Sequence, residues 1–305
     1  MKILTRQEIG RAPWDAFCLA HPGAWFLWTS AYLDYQAARG MRELSFGVVD
    51  GERLVAICPL FLEERDGVRS FTMEGNPGLA FILGGGDDEI MVANHMLHLE
   101  TSHAVSYIAY RFSPFDNAVP DFGSRPSAWR DISWHTQIID LTQSEAALHA
   151  GIRKSYTSLI NKASRTHDLV VDDKGVLLKA FKRLHFGQHG RQTRPDRTWE
   201  IQQEWCEAGN GLIVAAMRWN VAVACTYWIL YKRCAYYASS ASINPNTTHA
   251  LIWKAMLDLK ARGIEKLEMG WVDYDKSEKG QGIAKFKQGF GGEAVPVIAV
   301  ERRWK

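Results

Sequence analysis

A chain of 305 residues, 47% apolar and 23% charged, can bury a large core as two ordinary domains or one big one, which excludes a low-complexity or disordered protein. A formal net charge of +2 names no partner, and nothing in the composition points to DNA. Five scattered cysteines (Cys18, Cys58, Cys206, Cys225 and Cys234) without a Cys-x-x-Cys point neither to a disulfide framework nor to zinc, and fit reduced thiols in the cytoplasm. The opening MKILTRQEIG lacks the apolar run of a signal peptide. No run of about 18 apolar residues occurs, so the expectation is a cytoplasmic chain with at most peripheral membrane contact.

Lys2–Leu4 reads as a short strand, followed by a helix opening at Pro13-Trp14-Asp15 and another over Ser30–Ala38, which Gly40 stops. Leu44–Glu64 predicts a hairpin, because Asp50-Gly51 separates two apolar runs. Ser70–Met73 is a strand, and Glu74-Gly75-Asn76-Pro77-Gly78 a turn-rich loop. Gly84-Gly85-Gly86 and Asp87-Asp88 lead into a helix to Glu100. Ala104–Tyr110 and His135–Leu141 read as strands, separated by a stretch that Pro114, Pro120, Gly123 and Pro126 make irregular.

A helix is predicted from Ser144 through Ala163, since Ile152, Tyr156, Leu159, Ile160 and Ala163 recur at helical spacing. Then come a strand at Leu169–Val171 and helices over Val176–Phe186 and Thr198–Cys206. A second hairpin, Leu212–Leu230, turns at Arg218-Trp219-Asn220. Ala235–Ala241 is a strand, Thr248–Arg262 a helix that Gly263 ends, and Val297–Glu301 a last strand. Laid over one another at a constant offset of 168, the two hairpins match Leu44 with Leu212, Val55 with Val223, Ala56 with Ala224 and Leu62 with Leu230. With the recurring order helix, helix, hairpin, strand, helix, strand, this predicts tandem α/β units with a boundary near 140–150.

Charge concentrates in residues 152–197, which hold eleven Lys/Arg against four Asp/Glu. That stretch is either a solvated helical face or a surface for phosphates, in which Arg153, Lys154 and Arg191 are the candidates. A tRNA acceptor stem is one phosphate-bearing partner it would suit, although no RNA-binding motif accompanies it. Gly84-Gly85-Gly86 is not followed by Gly-Lys-Ser/Thr, and Asp87-Asp88 would repel phosphate, so a capped loop is expected there. His185 and His189 have i,i+4 spacing but no Glu between them as in His-Glu-x-x-His and no nearby third ligand, so no metal is expected.

The densest chemistry lies in LEMGWVDYDKSEKGQGIAKFKQGFGGE, Leu267–Glu293. It reads as a short strand, Leu267–Met269, then a polar loop, then a strand carrying Phe286-Lys287 ahead of Phe290-Gly291-Gly292. Glycines let backbone approach a ligand and a lysine among them supplies a mobile cation, which suits the reaction end of a transferase. Transfer onto an amine needs a base to take a proton and a cation to steady the tetrahedral oxyanion. Lys287 suits the cation, Asp273 or Glu268 the base, and Trp271 lies beside them on the strand's end.

Several blocks together resemble the FemAB-like branch of the GNAT acyltransferase superfamily: HPGAWFLWTSAYLDYQ, IRKSYTSLINKASRTHDLVV, TYWILYKRCAYYASSAS, LIWKAMLDLKARGIEKLEMG and GIAKFKQGFGGE. The resemblance spans most of the chain. It implies an α/β (α+β) fold of two tandem GNAT-like domains, 1–145 and 146–305, each a mixed, mostly antiparallel sheet flanked by helices, with the active site in the second. It also implies functional roles for Phe286 and Lys287, and substrate-binding roles for Tyr236 and Tyr237. Members resemble peptidoglycan-bridge aminoacyltransferases and polysaccharide-associated N-acyltransferases. The implied activity is transfer of an acyl or aminoacyl group to an amine of a cell-envelope precursor: an amino sugar, a nucleotide-sugar or a peptidoglycan peptide. No permanently bound cofactor is implied. The co-substrate is aminoacyl-tRNA or acyl-CoA, and the acceptor a phosphate-bearing small molecule or a lipid-linked one. Where acyl-CoA enzymes carry a Gln/Arg-x-x-Gly-x-Gly/Ala loop, this chain has Ser242–Ala250 without the glycine, which argues against standard CoA binding. The competing readings are an acyl-CoA sugar N-acetyltransferase and a non-catalytic module that binds a sugar-nucleotide.

Overall fold

The computed structural model describes residues 1–84, 88–115, 129–272 and 278–304. The chain folds into two compact units, Met1–Trp134 with Pro296–Lys305, and His135–Val295. The seam lies about ten residues before the 145/146 boundary expected from the sequence, and the chain's end returns to the first unit.

The first unit opens with β1 (Lys2–Thr5), α1 (Arg6–Ile9), α2 (Arg11–Ala20) and α3 (Ser30–Ala38). The strands β2 (Arg42–Glu43), β3 (Phe46–Asp50), β4 (Arg53–Cys58), β5 (Phe61–Arg65), β6 (Val68–Met73), β7 (Asn76–Leu79) and β8 (Ile82–Leu83) follow. Then come α4 (Asp88–Ser102), β9 (Tyr107–Arg111) and β10 (Arg130–Asp131). As Asp50-Gly51 predicts, β3 and β4 form an antiparallel hairpin. Pro59 lacks the N–H a continuous strand would need, and between β4 and β5 the chain leaves a sheet ordered β1-β3-β4-β8 for one ordered β10-β18-β9-β7-β6-β5-β2. In that order β18 (Ala299–Arg303) is the strand near the end of the sequence. The core of the unit includes Phe46, Val48, Phe71, Val92 and Ile108.

The second unit comprises β11 (Trp134–Asp140), α5 (Glu145–Gly151), α6 (Lys154–Thr166), β12 (Asp168–Asp172), α7 (Leu178–His189) and α8 (Asp196–Glu207). It continues through β13 (Gly211–Arg218), β14 (Val221–Tyr231), β15 (Cys234–Ser242), α9 (Thr248–Ala261), β16 (Lys266–Trp271), α10 (Glu278–Gln288) and β17 (Glu293–Val297). Its strands form one sheet, β12-β13-β14-β15-β16-β11-β17, antiparallel from β12 through β15 and parallel between β15 and β16. On α9, Leu251, Ile252, Ala255, Met256 and Leu259 recur at helical spacing and pack into a core with Trp228, Leu267, Met269 and Phe290. The expected fold class is the one observed: α/β units on mixed, mostly antiparallel sheets flanked by helices.

The larger sheet of the first unit is completed by β18, which follows the second unit in sequence, and the sheet of the second unit takes in β11, the strand that opens that unit. β11 pairs with β16, and β18 pairs with β9. Three local expectations need correction. The helix predicted over Ser144–Ala163 is broken at Ile152, where the Arg153 N–H leaves the helical ladder to donate to the Gly289 carbonyl at 2.8 Å. The loop predicted at 74–78 contributes β7, held on both sides by β6 and β9. The strand predicted to carry Phe286-Lys287 is the helix α10.

Candidate active site

The site is built where two parallel strands part. β15 and β16 pair only at Cys234↔Lys266, Ala235↔Leu267 and Tyr236↔Glu268. Beyond that, β15 continues on β14 as far as Ser242, and β16 continues on β11 to Trp271. Their facing edges therefore lose each other as partners. Backbone N–H and C=O groups along such edges need a partner, and an extended, amide-bearing ligand can supply it. Both strands also carry an irregularity at the parting. Ala238 faces no residue of β14, and Met269 faces none of β11. Bulges of this kind re-aim backbone and side chains, and they gather next to active sites.

The first unit has the same parting, filled. β6 and β9 pair in parallel at Ser70↔Tyr107 and Phe71↔Ile108. Then β7 folds back between them, pairing Pro77 with Thr72 and Gly78 with Tyr110. No strand of the described residues enters the corresponding opening of the second unit.

At the mouth of that opening stand Lys287, Tyr236, Gly270 and Trp271. Gly270 has φ +81°, a conformation that costs glycine little. A methyl group there would lie 3.1 Å from Lys287 Nζ and 3.5 Å from the Tyr236 hydroxyl, so both polar tips converge on this backbone. Lys287 Nζ donates to the Trp271 carbonyl at 2.9 Å. Burial lowers the Lys287 ammonium from its usual range, the Glu268 carboxylate partly restores it, and the result is a group titrating at about 8. Glu268 is buried two residues before Gly270, and its Oε1 accepts from the Thr136 hydroxyl at 3.0 Å. The Trp271 side chain is exposed beside them.

An aromatic cluster fixes α10. The Phe286 ring lies 5.1 Å from His249 and 5.3 Å from Phe290, centroid to centroid, and Tyr156 lies 4.3 Å from His249. Gly289 is required by this packing, because a methyl group on it would sit 2.2 Å from Tyr156 Cε2. Burial lowers the His249 pKa and favours the neutral ring, whose Nδ1 lies 3.0 Å from the Asn246 carbonyl. Gln137, also buried, donates to the Gly291 carbonyl at 2.6 Å and ties the glycine turn to β11.

The predicted residues divide accordingly. Lys287, Glu268, Tyr236 and Trp271 come together, with Phe286 as part of the support beneath α10. Strand alternation turns Tyr237 the other way, against Trp228 at 5.0 Å, where burial raises its hydroxyl to about 12; it belongs to the core and not to the mouth. The Arg153 guanidinium lies 5.2 Å over the Tyr156 ring, which places it on the aromatic cluster. Lys154 is exposed on the first turn of α6, and Arg191 is exposed just past α7; no described contact ties either to Lys287. Asp273 lies outside the described residues, as do Gly85, Gly86 and Asp87. Sequence reasoning missed Thr136, Gln137 and the packing role of Tyr156 and His249. The only available signal was aromatic spacing, Phe286 and Phe290 one helical turn apart.

Among the described residues no three His, Cys, Asp or Glu side chains are grouped to hold a metal ion. No helix of the described residues is long and apolar enough to cross a membrane.

No family model matches the sequence, and no curated protein matches it. Solved structures do. FemX superimposes with a TM-score of 0.69 at 12% identity, over 98% of this chain and 97% of that one. L-PGS from Bacillus licheniformis gives 0.62 at 13% identity, over 90% and 88%. The DUF2156 C-terminal domain of an Agrobacterium fabrum protein gives 0.62 at 11%, over 97% and 92%. The chain thus shares its fold with FemX along nearly its whole length, and this is the fold that the resemblance of its sequence blocks implies.

Proposed function

We propose that the chain is an N-acyltransferase that moves an acyl or aminoacyl group onto an amine of a cell-envelope precursor, with the reaction centred on the second unit. The single observation that carries this is Lys287: a half-buried cation titrating at about 8, set at the mouth of an opening between parallel strands that no strand of the described residues enters. The fold shared with FemX and L-PGS and the FemAB-like sequence blocks support the same reading.

In the proposed reaction the acceptor amine attacks the acyl carbonyl carbon directly. A C–N bond forms, the donor's C–O or C–S bond breaks, and the carbonyl oxygen carries negative charge in between. The Lys287 ammonium steadies that oxygen. The amine's proton passes to Glu268 or Asp273, and the departing oxygen or sulfur ends protonated. Arg153, Lys154 and Arg191 would hold phosphates of the substrates, with Tyr236 and Trp271 lining the acceptor's approach. No resident cofactor is needed; the donor is a co-substrate.

Between donors, aminoacyl-tRNA is favoured over acyl-CoA by the turn before α9. The Asn246 N–H donates to Asn244 Oδ1 and the Thr247 N–H to the Asn244 carbonyl, both at 3.0 Å. Those donors are occupied within the turn and are not offered to a pyrophosphate. Acyl-CoA transfer to an amino sugar, or sugar-nucleotide binding without turnover, are the readings that lose by this.

The test is transfer by wild type and Lys287→Met with each donor, together with a circular-dichroism melt. Loss of transfer in a folded variant supports the reading, and unchanged turnover sinks it. Salt-sensitive retention of tRNA, with no retention of acyl-CoA, selects the donor.

A further inference from the structure

Trp219 is the odd residue of the second unit. It is 84% exposed and occupies the first position of the two-residue turn between β13 and β14, with φ +49° followed by Asn220 at φ +61°. Turns of this kind favour Asn-Gly, and a bulky side chain at positive φ is strained. Neither local geometry nor core packing accounts for an indole in this place. Its one described aromatic contact is the Arg218 guanidinium, 4.3 Å above the ring.

The sheet register shows what surrounds it. Arg218 pairs with Val221, and the Ile243 N–H donates to the Val223 carbonyl at 2.9 Å, which sets exposed Ile243 beside the turn. The Ser242 N–H donates to Gln188 Oε1 at 3.1 Å, so the last turn of α7, near exposed Phe186, reaches the same end. Trp271 closes β16 there too. Of the seven exposed large apolar side chains among the described residues of this unit, five (Phe186, Trp219, Val221, Ile243 and Trp271) stand at or near the end where β15 and β16 part. Basic residues accompany them. Asp168 opens β12 opposite Met217, so Lys162 and Arg165, on the last turn and a half of α6, lead into this end as well. Among the described residues Lys162, Arg165 and Arg218 make no ion pair; Asp168 is the exposed carboxylate nearest Lys162 and Arg165 in sequence.

We infer that this end of the second unit docks on an anionic lipid bilayer, with Trp219, Val221 and Ile243 entering the headgroup boundary and Lys162, Arg165 and Arg218 meeting lipid phosphates. An amphipathic indole beside a guanidinium suits the interface, and exposed aliphatic residues contribute by burial in lipid. A single-stranded or duplex RNA would use the aromatic and basic groups but has no use for Val221 and Ile243, which cannot stack on bases. Docking this way holds the mouth of the site at the membrane surface, where a lipid-linked acceptor would lie.

The experiment is co-sedimentation with vesicles of phosphatidylcholine, with and without phosphatidylglycerol. The wild type should pellet with the anionic vesicles only, and less as salt rises. The double variant Trp219→Ala/Ile243→Ser should lower the bound fraction roughly tenfold, and Arg218→Glu should remove much of the salt-sensitive part. Val176→Ser, beyond the opposite end of β12, should bind as wild type. No binding to anionic vesicles, or equal binding by the double variant, overturns the inference. So does retention of duplex RNA that the double variant loses while vesicles are ignored. Binding is read without turnover, so Lys287→Met should dock normally, and failure here leaves the proposed reaction standing.

Discussion

Lys287 donates to the main-chain carbonyl of Trp271 at 2.9 Å, and this bond joins the last turn of α10 to the end of β16. The ammonium is thereby held, half-buried, at the parting of the strands, and it titrates at about 8 where an exposed lysine would titrate near 10.5. If the cation steadies the oxyanion, kcat/KM should fall as pH rises through about 8. Lys287→Arg, whose charge does not titrate, should abolish that fall even if its rate is lower. Lys287→Met should cost about 10²–10³-fold in turnover. The stability effect has the opposite sense. The folded state releases this proton earlier than the unfolded chain, so its contribution to stability rises between about 8 and 10.5. Denaturant midpoints of wild type and Lys287→Met across that window would show it.

Glu268 is the charge that partly restores the Lys287 ammonium. Glu268→Gln should therefore move the descending limb of the pH profile to lower pH, whatever it does to the maximal rate. Thr136→Ala removes only the hydroxyl that donates to Glu268 at 3.0 Å, so it should leave the limb nearly in place. A pH–rate series on the three proteins separates the electrostatic role of Glu268 from a role as base.

Gly270→Ala places a methyl group 3.1 Å from Lys287 Nζ at a backbone φ of +81°. We expect about 1–2 kcal/mol of destabilisation from the strained backbone. The loss of turnover should be larger than that implies, because the methyl group displaces the ammonium from Trp271. Urea unfolding and steady-state kinetics on the same preparation make the comparison.

Gly289→Ala drives a methyl group against Tyr156, 2.2 Å from Cε2, and should cost about 1–3 kcal/mol through overpacking. Adding Tyr156→Ala should recover part of that loss, and the shortfall from additivity in a double-mutant cycle measures the contact.

Much of this architecture is legible in the residues. Asp50-Gly51 marks the first hairpin, Gly263 ends α9, and the constant offset between hairpins anticipates two units of like build. The helix α10 is not legible, because Gly280 and Gly282 lower its propensity and its helical state rests on buried Ala284 and on Phe286 packing with Tyr156 and His249. Tyr236 and Tyr237 look alike in sequence, and only the pairing with β16 shows that the first faces the mouth and the second the core. The role of β7 is hidden for a similar reason: Asn76-Pro77-Gly78 carries turn residues, and it is a strand because β6 and β9 hold it from both sides.

The late return of β18 to the first unit bears on how the molecule comes to exist in a cell. On the ribosome, β9 emerges almost two hundred residues before Ala299–Arg303, the segment that covers its flank. Throughout that interval the nascent first unit presents a bare strand edge of the kind that pairs promiscuously. Emergence of Ala299–Arg303, rather than of the first half, is then the event that closes the larger sheet of the first unit. A message truncated after residue 295 would yield a product whose first unit is the damaged one, although every residue lost comes from the far end.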